Sequence, residues 1–210
     1  GAIVKRYIET HFSQGKRDLY AAFILRCLEQ ARPKTGQVAM VTQQSWMFLR
    51  SFAELRALEE EKLKKAAGFK GILRDTSIET LAHLGPGAFG EISGEVVNTV
   101  LFTLRKQAPI TDHHLTAFRL IGPKSPEEKA MQLRNGRLAN AIRTLQMRFL
   151  TIPQAPVCYW LRDRFFDLLA GRTLGDAAEV CQGLATANDP RFFRFTWEVP
   201  PEQWGLTVRE

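Results

Sequence analysis

The chain has 210 residues, enough for one domain of ordinary size and part of another, and its composition is that of a soluble globular protein. Its 29 Lys and Arg residues outnumber its 22 Asp and Glu residues, so the formal charge is +7 and a polyanion is a reasonable partner. No apolar run approaches the ~20 residues of a membrane span. The scattered cysteines, Cys27, Cys158 and Cys181, argue against a disulfide framework or structural zinc and favour the reducing cytoplasm.

The first part of the chain is predicted to alternate helices and a strand. A short basic helix ends near Ser13 to Gly15, and Asp18 caps a second helix over residues 18–30. The second helix has only a narrow polar stripe, so it is expected to pack on a sheet. Residues 37–42 form a short buried strand, and the Ser51 capping box with Glu54 begins a helix to about residue 65. This order is typical of an α/β fold.

The longest strand signal lies within residues 83–105. From Val96 the residues alternate with apolar side chains on both faces, which predicts a strand that is covered on both sides inside a sheet. Residues 77–84 alternate more weakly and predict a preceding strand. The glycine-rich link between the two strands, which contains Phe89, is too short for a parallel crossover, so the pair is expected to be antiparallel.

The second half of the chain changes character. Residues 114–121 predict one more strand, and Ser125 with Pro126 and Glu128 begins a helix to about Met147 that carries several basic residues. Another helix is predicted over residues 159–170. The remainder is interpreted as loops and short strands with concentrated aromatic residues: Phe192, Phe193, Phe195, Trp197 and Trp204.

None of the common self-contained catalytic signatures occurs in the sequence, which has no GxGxxG after a strand, no P-loop, no HExxH and no GxSxG. The histidines His83, His113 and His114 lack acidic or cysteine companions. They are therefore interpreted as polar surface residues, and no metal site is predicted.

Phe89 has two interpretations, because it lies between Gly87 and Gly90 in a turn instead of on a strand or helix. It either packs as a plug over the end of the sheet or offers an aromatic platform on which a base stacks. The late aromatic residues are interleaved with Arg191 and Arg194. This cluster either contacts nucleic acid or fills a small core.

Three stretches resemble the adenine-specific DNA methyltransferases, and in particular the PglX-type enzymes of BREX phage-defence systems. They are DLYAAFILRCLEQARPKTGQVAMVTQQSWMF (18–48), LAHLGPGAFGEISGEVVNTVLFTLR (81–105) and DAAEVCQGLATANDPRFFRFTWEVP (176–200), in this order. The resemblance implies the C-terminal part of a class I S-adenosylmethionine-dependent, Rossmann-like α/β fold that ends in an antiparallel strand pair. Residues 1–106 would complete the catalytic domain, 107–172 would form a connecting helical segment, and 173–210 would begin a target recognition domain.

The reaction that the resemblance implies is methyl transfer from S-adenosylmethionine to the amino group of a flipped adenine in double-stranded DNA. The family's glycine-rich cofactor motif and its NPPY loop are not in this sequence, which is expected to start just after the NPPY position. The chain alone is therefore expected to be inactive and to need an N-terminal half as partner, with other phage-defence proteins as further candidates. By resemblance, Phe89 stacks on the target base. Asn98 is a second candidate, or else an amide bonded to neighbouring backbone.

Two further hypotheses remain open from the sequence. The charge of +7 and the basic helix predicted from residue 126 suit a non-catalytic DNA-binding or assembly module, whose binding should weaken steeply with salt. The simplest alternative is an excised α/β fragment with exposed sheet edges that depends on a partner for solubility.

Overall fold

The computed structural model describes residues 1–89, 97–135, 141–169, 171–172, 174–179 and 194–203. The chain divides into two compact units, Gly1–Gly171 and Arg172–Glu210. The first unit is mixed α/β and is built on a five-stranded sheet. In the described part of the chain, no helix is both long and apolar enough to cross a membrane.

The elements at the start of the chain follow the sequence pattern. Helix α1 spans Ala2–His11, and helix α2 spans Leu19–Gln30. The Asp18 side chain accepts a hydrogen bond from the backbone N–H of Tyr20, so the predicted cap is confirmed. Strand β1 spans Gln37–Gln43. Helix α2 contributes Ile24, Leu25 and Leu28 to the core, as its wide apolar surface predicts.

The sheet has the strand order β1-β3-β2-β4-β5. Strands β2 (Ser77–Gly85) and β3 (Thr99–Arg105) are antiparallel, as predicted, and β1 pairs with the other side of β3, also antiparallel. Strand β4 (His114–Arg119) runs parallel to β2, and β5 (Ala141–Leu145) runs antiparallel to β4. Strand β3 therefore lies inside the sheet, and β1, β2 and β4 all point in the same direction.

Within the described residues, β1 and β3 bury one face well and the other face less. On that face Val100, Phe102 and Leu104 are buried, and they belong to the same core as α2. On the other face, Val41 is 49% exposed and its register partner Leu101 is 37% exposed. The prediction that both faces of β3 are covered is wrong at Leu101, although Thr99 on the same face is only 3% exposed. An apolar pattern on two faces shows which residues suit burial, and it does not supply the layer that covers them.

The helix predicted over residues 51–65 is broken. Ser51 lies in a 3-10 turn, Arg50–Phe52, and a short helix α3 (Ala53–Arg56) ends where Ala57 becomes extended. A second short helix, α4, spans Glu60–Leu63. The capping box is therefore wrong. The physical reason is the burial of Arg56, whose guanidinium bonds to backbone carbonyls outside α3 and holds this end of the helix in the core.

The charged side chains of this region form ion pairs between its short helices. Lys62 pairs with Glu54, and Arg74 lies 3.7 Å from Glu60. Arg74 belongs to the short helix α5 (Ile72–Asp75), which precedes β2.

The helix predicted from Pro126 starts as expected but ends early. Helix α6 spans Pro126–Asn135, and the backbone N–H of Glu128 donates to the Ser125 hydroxyl at 3.2 Å. Residues 141–145 then form β5, so the extension of the helix to Met147 is wrong. Cross-strand pairing with β4 overrides the helical periodicity there. The last helix of this unit, α7, spans Asp163–Leu169 and starts later than predicted, because residues 159–160 form a turn.

The second unit is described only in part. Three 3-10 turns, Leu174–Asp176, Thr196–Glu198 and Pro201–Gln203, account for its regular structure in residues 174–179 and 194–203, and neither range contains a strand. Phe195 and Trp197 are exposed and stack with ring centroids 4.4 Å apart.

Candidate functional site at the carboxyl edge of the sheet

The carboxyl ends of β1, β2 and β4 meet at one edge of the sheet. Gln44 follows β1, His83 to Gly85 end β2, Arg119 ends β4, and Asn98 directly precedes β3 at the same edge. Ligands of open α/β sheets bind outside the carboxyl ends of their strands. The structure thus brings together residues that are far apart in the sequence, at a place where binding is expected.

The turn that carries Phe89 begins at this edge of the sheet. Gly85 and Gly87 have φ angles of +64° and +67°, which favour glycine. A Cβ atom at Gly87 would lie 2.6 Å from the carbonyl oxygen of Lys124, so the turn packs closely against the segment that follows β4. Phe89 itself is 45% exposed and is not part of the core. Its ring is therefore partly accessible to solvent within the described residues.

Lys129 holds both segments together from the first turns of α6. Its Nζ donates to the carbonyl oxygens of Leu84, Leu120 and Pro123, each at 2.7 Å. A register shift in β2 between His83 and Gly85 leaves Leu84 as the extra residue, and such a bulge disrupts the ladder. Burial lowers the pKa of Lys129. Only 3% of this lysine of the predicted basic helix is exposed, so it cannot contact DNA from here.

His83 is buried in a hydrogen-bonded chain, so its interpretation as a surface residue is wrong. Its Nε2 lies 2.5 Å from the Gln44 amide oxygen, and its Nδ1 lies 2.9 Å from the Tyr159 hydroxyl. Because an amide oxygen only accepts, Nε2 carries the proton and Nδ1 accepts from Tyr159. Burial, and then the positive charges of Arg119 and Lys129, lower the pKa of His83 to about 4. The imidazole is therefore neutral at physiological pH.

An aromatic group surrounds His83 at this edge. Phe48 lies 5.8 Å from the His83 ring and 5.3 Å from Trp160, and Trp160 packs edge-on against Tyr159 at 5.0 Å. The guanidinium carbon of Arg119 lies 5.6 Å from the centre of the Trp160 ring. The site therefore combines flat apolar rings with a positioned cation.

Arg56 holds the loop that precedes Tyr159 and Trp160 in the chain. Its guanidinium donates to four backbone carbonyls, two from the segment after β1 (Trp46 and Leu49) and two from a distant loop (Gln154 and Ala155). Both loop residues have positive φ angles. Burial lowers the pKa of Arg56 to about 10. The arginine thereby ties residues 46–49 to the loop that leads to the aromatic group.

Sequence patterns did not indicate Gln44, Arg119, Tyr159 or Trp160, because none belongs to a local motif. Gln44 and Arg119 do lie at or just beyond the ends of strands that were predicted. A correct topology would have placed these two at the same edge. Tyr159 and Trp160 lie in a turn after the loop to which Arg56 bonds, and no local signal in the sequence indicated them.

Of the other predicted site residues, Asn98 lies at this edge of the sheet, whereas Arg191 and Arg194 belong to the second unit. Asn98 is half-buried, and its backbone carbonyl accepts from the Gln44 N–H at 2.9 Å. Arg194 is exposed in the second unit, and Arg191 lies outside the described residues. Among the described residues, no group of three or more His, Cys, Asp or Glu side chains could hold a metal ion.

A cavity of about 440 Å³ lies outside this site. Basic residues (Lys16, Arg17 and Arg50) line it together with Glu54 and Glu59. Because the charges are mixed and no aromatic side chain lines the cavity, its chemistry suits a base or a polyanion less well than that of the sheet edge.

The sequence has recognisable relatives. Residues 2–77 match the model of the Eco57I restriction-modification methylase family. The chain is 32% identical over 200 residues to the adenine-specific methyltransferase PglX of Lacticaseibacillus casei (strain Zhang), and 32% identical over 195 residues to the adenine-specific methyltransferase BrxX of Escherichia coli O9:H4 (strain HS). Each match covers 92% of this chain. The chain belongs to the PglX-type adenine-specific methyltransferases.

The predicted membership of the PglX-type family is thus confirmed, for a chain that spans 15% of the length of each of these two relatives. Solved structures with a similar arrangement include a chain of a type I R-M system (16% identity, TM-score 0.42, covering 69% of this chain and 31% of the other). Another is a modification subunit of a putative type I restriction enzyme from Vibrio vulnificus YJ016 (14% identity, TM-score 0.40, covering 60% and 27%). At these TM-scores the likeness decides nothing further about the fold.

Proposed function

We propose that this chain is part of a site-specific adenine-N6 DNA methyltransferase of a phage-defence or restriction-modification system. In this proposal its sheet is the second half of a class I S-adenosylmethionine-dependent fold, and residues 173–210 begin the target recognition domain after a connecting segment, 107–172. The observation that supports it most is the combination of the family match with an accessible aromatic turn at the carboxyl edge of the sheet.

Within this proposal, Phe89 stacks on the extruded adenine. The close approach of Gly87 to the Lys124 carbonyl oxygen holds the start of this turn against the segment that follows β4. Stacking of a base on an aromatic ring contributes about 1–3 kcal/mol, which helps to offset the cost of unstacking the base. Asn98, which directly precedes β3, is proposed as a second contact beside the base.

The cofactor of the proposed reaction is S-adenosylmethionine, which supplies the methyl group. Its family motif is a glycine-rich strand, turn and helix, and no such sequence occurs in these 210 residues. We therefore assign no residue of this chain to the cofactor. The chain's own proposed contribution is to receive and orient the target base.

Reconstitution tests the proposal. The chain is fused to, or mixed with, a polypeptide that carries the family's cofactor motif and NPPY loop, and methyl transfer to DNA is measured. We expect activity that needs both parts. If every such reconstitution is inactive although the chain stays folded, the proposed function is wrong.

Replacing Phe89 by alanine tests the base-stacking role in the reconstituted enzyme. With 2-aminopurine at the target position, the wild type should show the fluorescence change of an extruded base. We expect Phe89→Ala to weaken base capture by about 1–3 kcal/mol. Phe23→Ala is a matched control, because Phe23 is a 51% exposed ring on α2. An unchanged 2-aminopurine signal in Phe89→Ala would remove Phe89 from the mechanism.

A second candidate function is a non-catalytic DNA-binding or assembly module, which the charge of +7 favours. Double-stranded DNA is its proposed partner, alone or together with other phage-defence proteins, and Arg191 and Arg194 are its proposed DNA contacts in the second unit. Such binding must weaken as salt rises, because phosphate neutralisation releases counterions.

A further inference from the structure

Arg119 is an exposed cation at the candidate site. It ends β4 and is the register partner of His83 on β2, so both side chains project from the same face of the sheet. The segment that follows, residues 120–124, is the one that packs against the Phe89 turn. Residues 120–124 therefore link the two, because they follow Arg119 directly in the chain and pack against the turn.

The surroundings of Arg119 fix its guanidinium without neutralising it. One face of the group lies over the Trp160 ring at 5.6 Å, an arrangement that attracts a cation to an aromatic face and restricts its position. Within the described residues, Arg119 is in none of the ion pairs with Asp or Glu. Its neighbour His83 is neutral at physiological pH and brings no second charge.

Two other cations of this region, Lys129 and Arg56, are already engaged. The Nζ of Lys129 donates to three carbonyls, and the guanidinium of Arg56 donates to four carbonyls deep in the core. Arg119 differs from these two, because it is exposed and lies with one face over the Trp160 ring.

We propose that Arg119 binds a DNA backbone phosphate next to the target nucleotide, with Trp160 as the ring that positions it. A planar guanidinium matches the oxygens of a phosphate and can donate two parallel hydrogen bonds to them. A base that stacks on Phe89 brings its own flanking phosphates to this edge of the sheet. The inference rests on the proposed function, since it needs DNA at the candidate site.

Salt-dependent binding to a labelled duplex tests the inference with the chain as it is. Neutralising one phosphate contributes about 0.9 to the slope of log affinity against log salt. We expect Arg119→Gln to reduce the slope by about that amount and to weaken binding at low salt roughly tenfold. Arg119→Lys should keep the slope, because it keeps the charge, and should bind more weakly than wild type for lack of the planar stack.

Arg143→Gln is the matched control. It removes one positive charge from an exposed position of β5, and its register partner Thr116 lies on the sheet face opposite to that of Arg119. We expect its slope to equal that of the wild type. Trp160→Leu, the second variant, should weaken binding while leaving the slope unchanged, since the charge remains.

The outcomes separate the two proposals. If the wild type binds and Arg119→Gln keeps its slope, or if Arg143→Gln loses as much as Arg119→Gln, the role of Arg119 is wrong while the proposed function stands. If the wild type does not bind DNA at any salt concentration, Arg119 does not bind a DNA phosphate in the isolated chain. The proposal that the chain itself contacts DNA is then wrong. Circular dichroism of each variant shows whether an altered slope comes from a folded protein.

Discussion

His83 shows at the residue scale how burial decides the chemistry of a side chain. The sequence places it on a strand without acidic or cysteine companions, which suggests a surface residue. In the structure only 5% of it is exposed, and both ring nitrogens have partners, Gln44 and Tyr159. A neutral imidazole satisfies this chain of hydrogen bonds, whereas a proton on Nδ1 would displace the Tyr159 donor and place a charge near Arg119.

The stability of the chain should therefore depend on pH through His83. The pKa of His83 is about 4 in the folded state, against 6.5 for an ordinary histidine. Between these values His83 is protonated in the unfolded chain but not in the folded chain. Its contribution to the free energy of unfolding is therefore fully present above pH 6.5 and is lost as the pH drops toward 4. At about 1.4 kcal/mol per unit, His83 accounts for a loss of up to roughly 3 kcal/mol.

Urea unfolding across this pH window checks the prediction. We expect His83→Gln to be less stable than wild type at neutral pH, because it disturbs the chain from Tyr159 to Gln44, and to lose less stability on acidification. His114→Gln controls for the loss of an exposed imidazole on the neighbouring strand β4. Parallel curves for wild type and His83→Gln would show that His83 does not cause the pH dependence.

At the scale of elements, local patterns predicted the structure wherever local forces decide it. The Asp18 cap, the wide apolar surface of α2 and the Ser125 start of α6 each depend on residues within a few positions. The helix predicted over residues 51–65 failed, because buried Arg56 bonds to carbonyls up to 99 positions away. A distant partner of this kind leaves no trace in the local periodicity.

Lys129 is the polar contact that ties α6 to the sheet edge. Lys129→Met leaves three carbonyl oxygens, those of Leu84, Leu120 and Pro123, without their donor. Losing the partner of buried polar groups costs about 1–3 kcal/mol or more, so we expect the free energy of unfolding to fall by roughly 2–3 kcal/mol. Urea unfolding at neutral pH measures it.

Arg134→Met is the matched control on the same helix, because Arg134 is an exposed cation in the last turn of α6. Its effect should stay within about 0.5 kcal/mol, as is usual for surface positions. An equal effect of both variants would mean that the carbonyl contacts of Lys129 do not stabilise the sheet edge.

At the scale of the whole molecule, the sequence predicted the class of fold and the antiparallel pairing of β2 and β3, but not the number of layers. Alternation in β3 indicates which side chains suit burial. It says nothing of which element covers each face, since that depends on topology. The candidate site has the same origin, because it forms only when the ends of β1, β2 and β4 meet at one edge.

Because the two faces of β1 are buried to different extents, the same substitution should have a large effect at one valine of this strand and a small effect at another. Val38 is 6% exposed on the covered face, and Val41 is 49% exposed on the other face. Val38→Thr buries a hydroxyl in an apolar layer, which costs about 1–3 kcal/mol. Val41→Thr keeps its hydroxyl in water, so the free energy of unfolding should change by less than about 0.5 kcal/mol. Both substitutions keep the β-branched shape that favours strands, so the pair differs only in the face. Urea unfolding of the chain distinguishes the faces directly, and a loss at Val41 as large as that at Val38 would mean that both faces of β1 are covered.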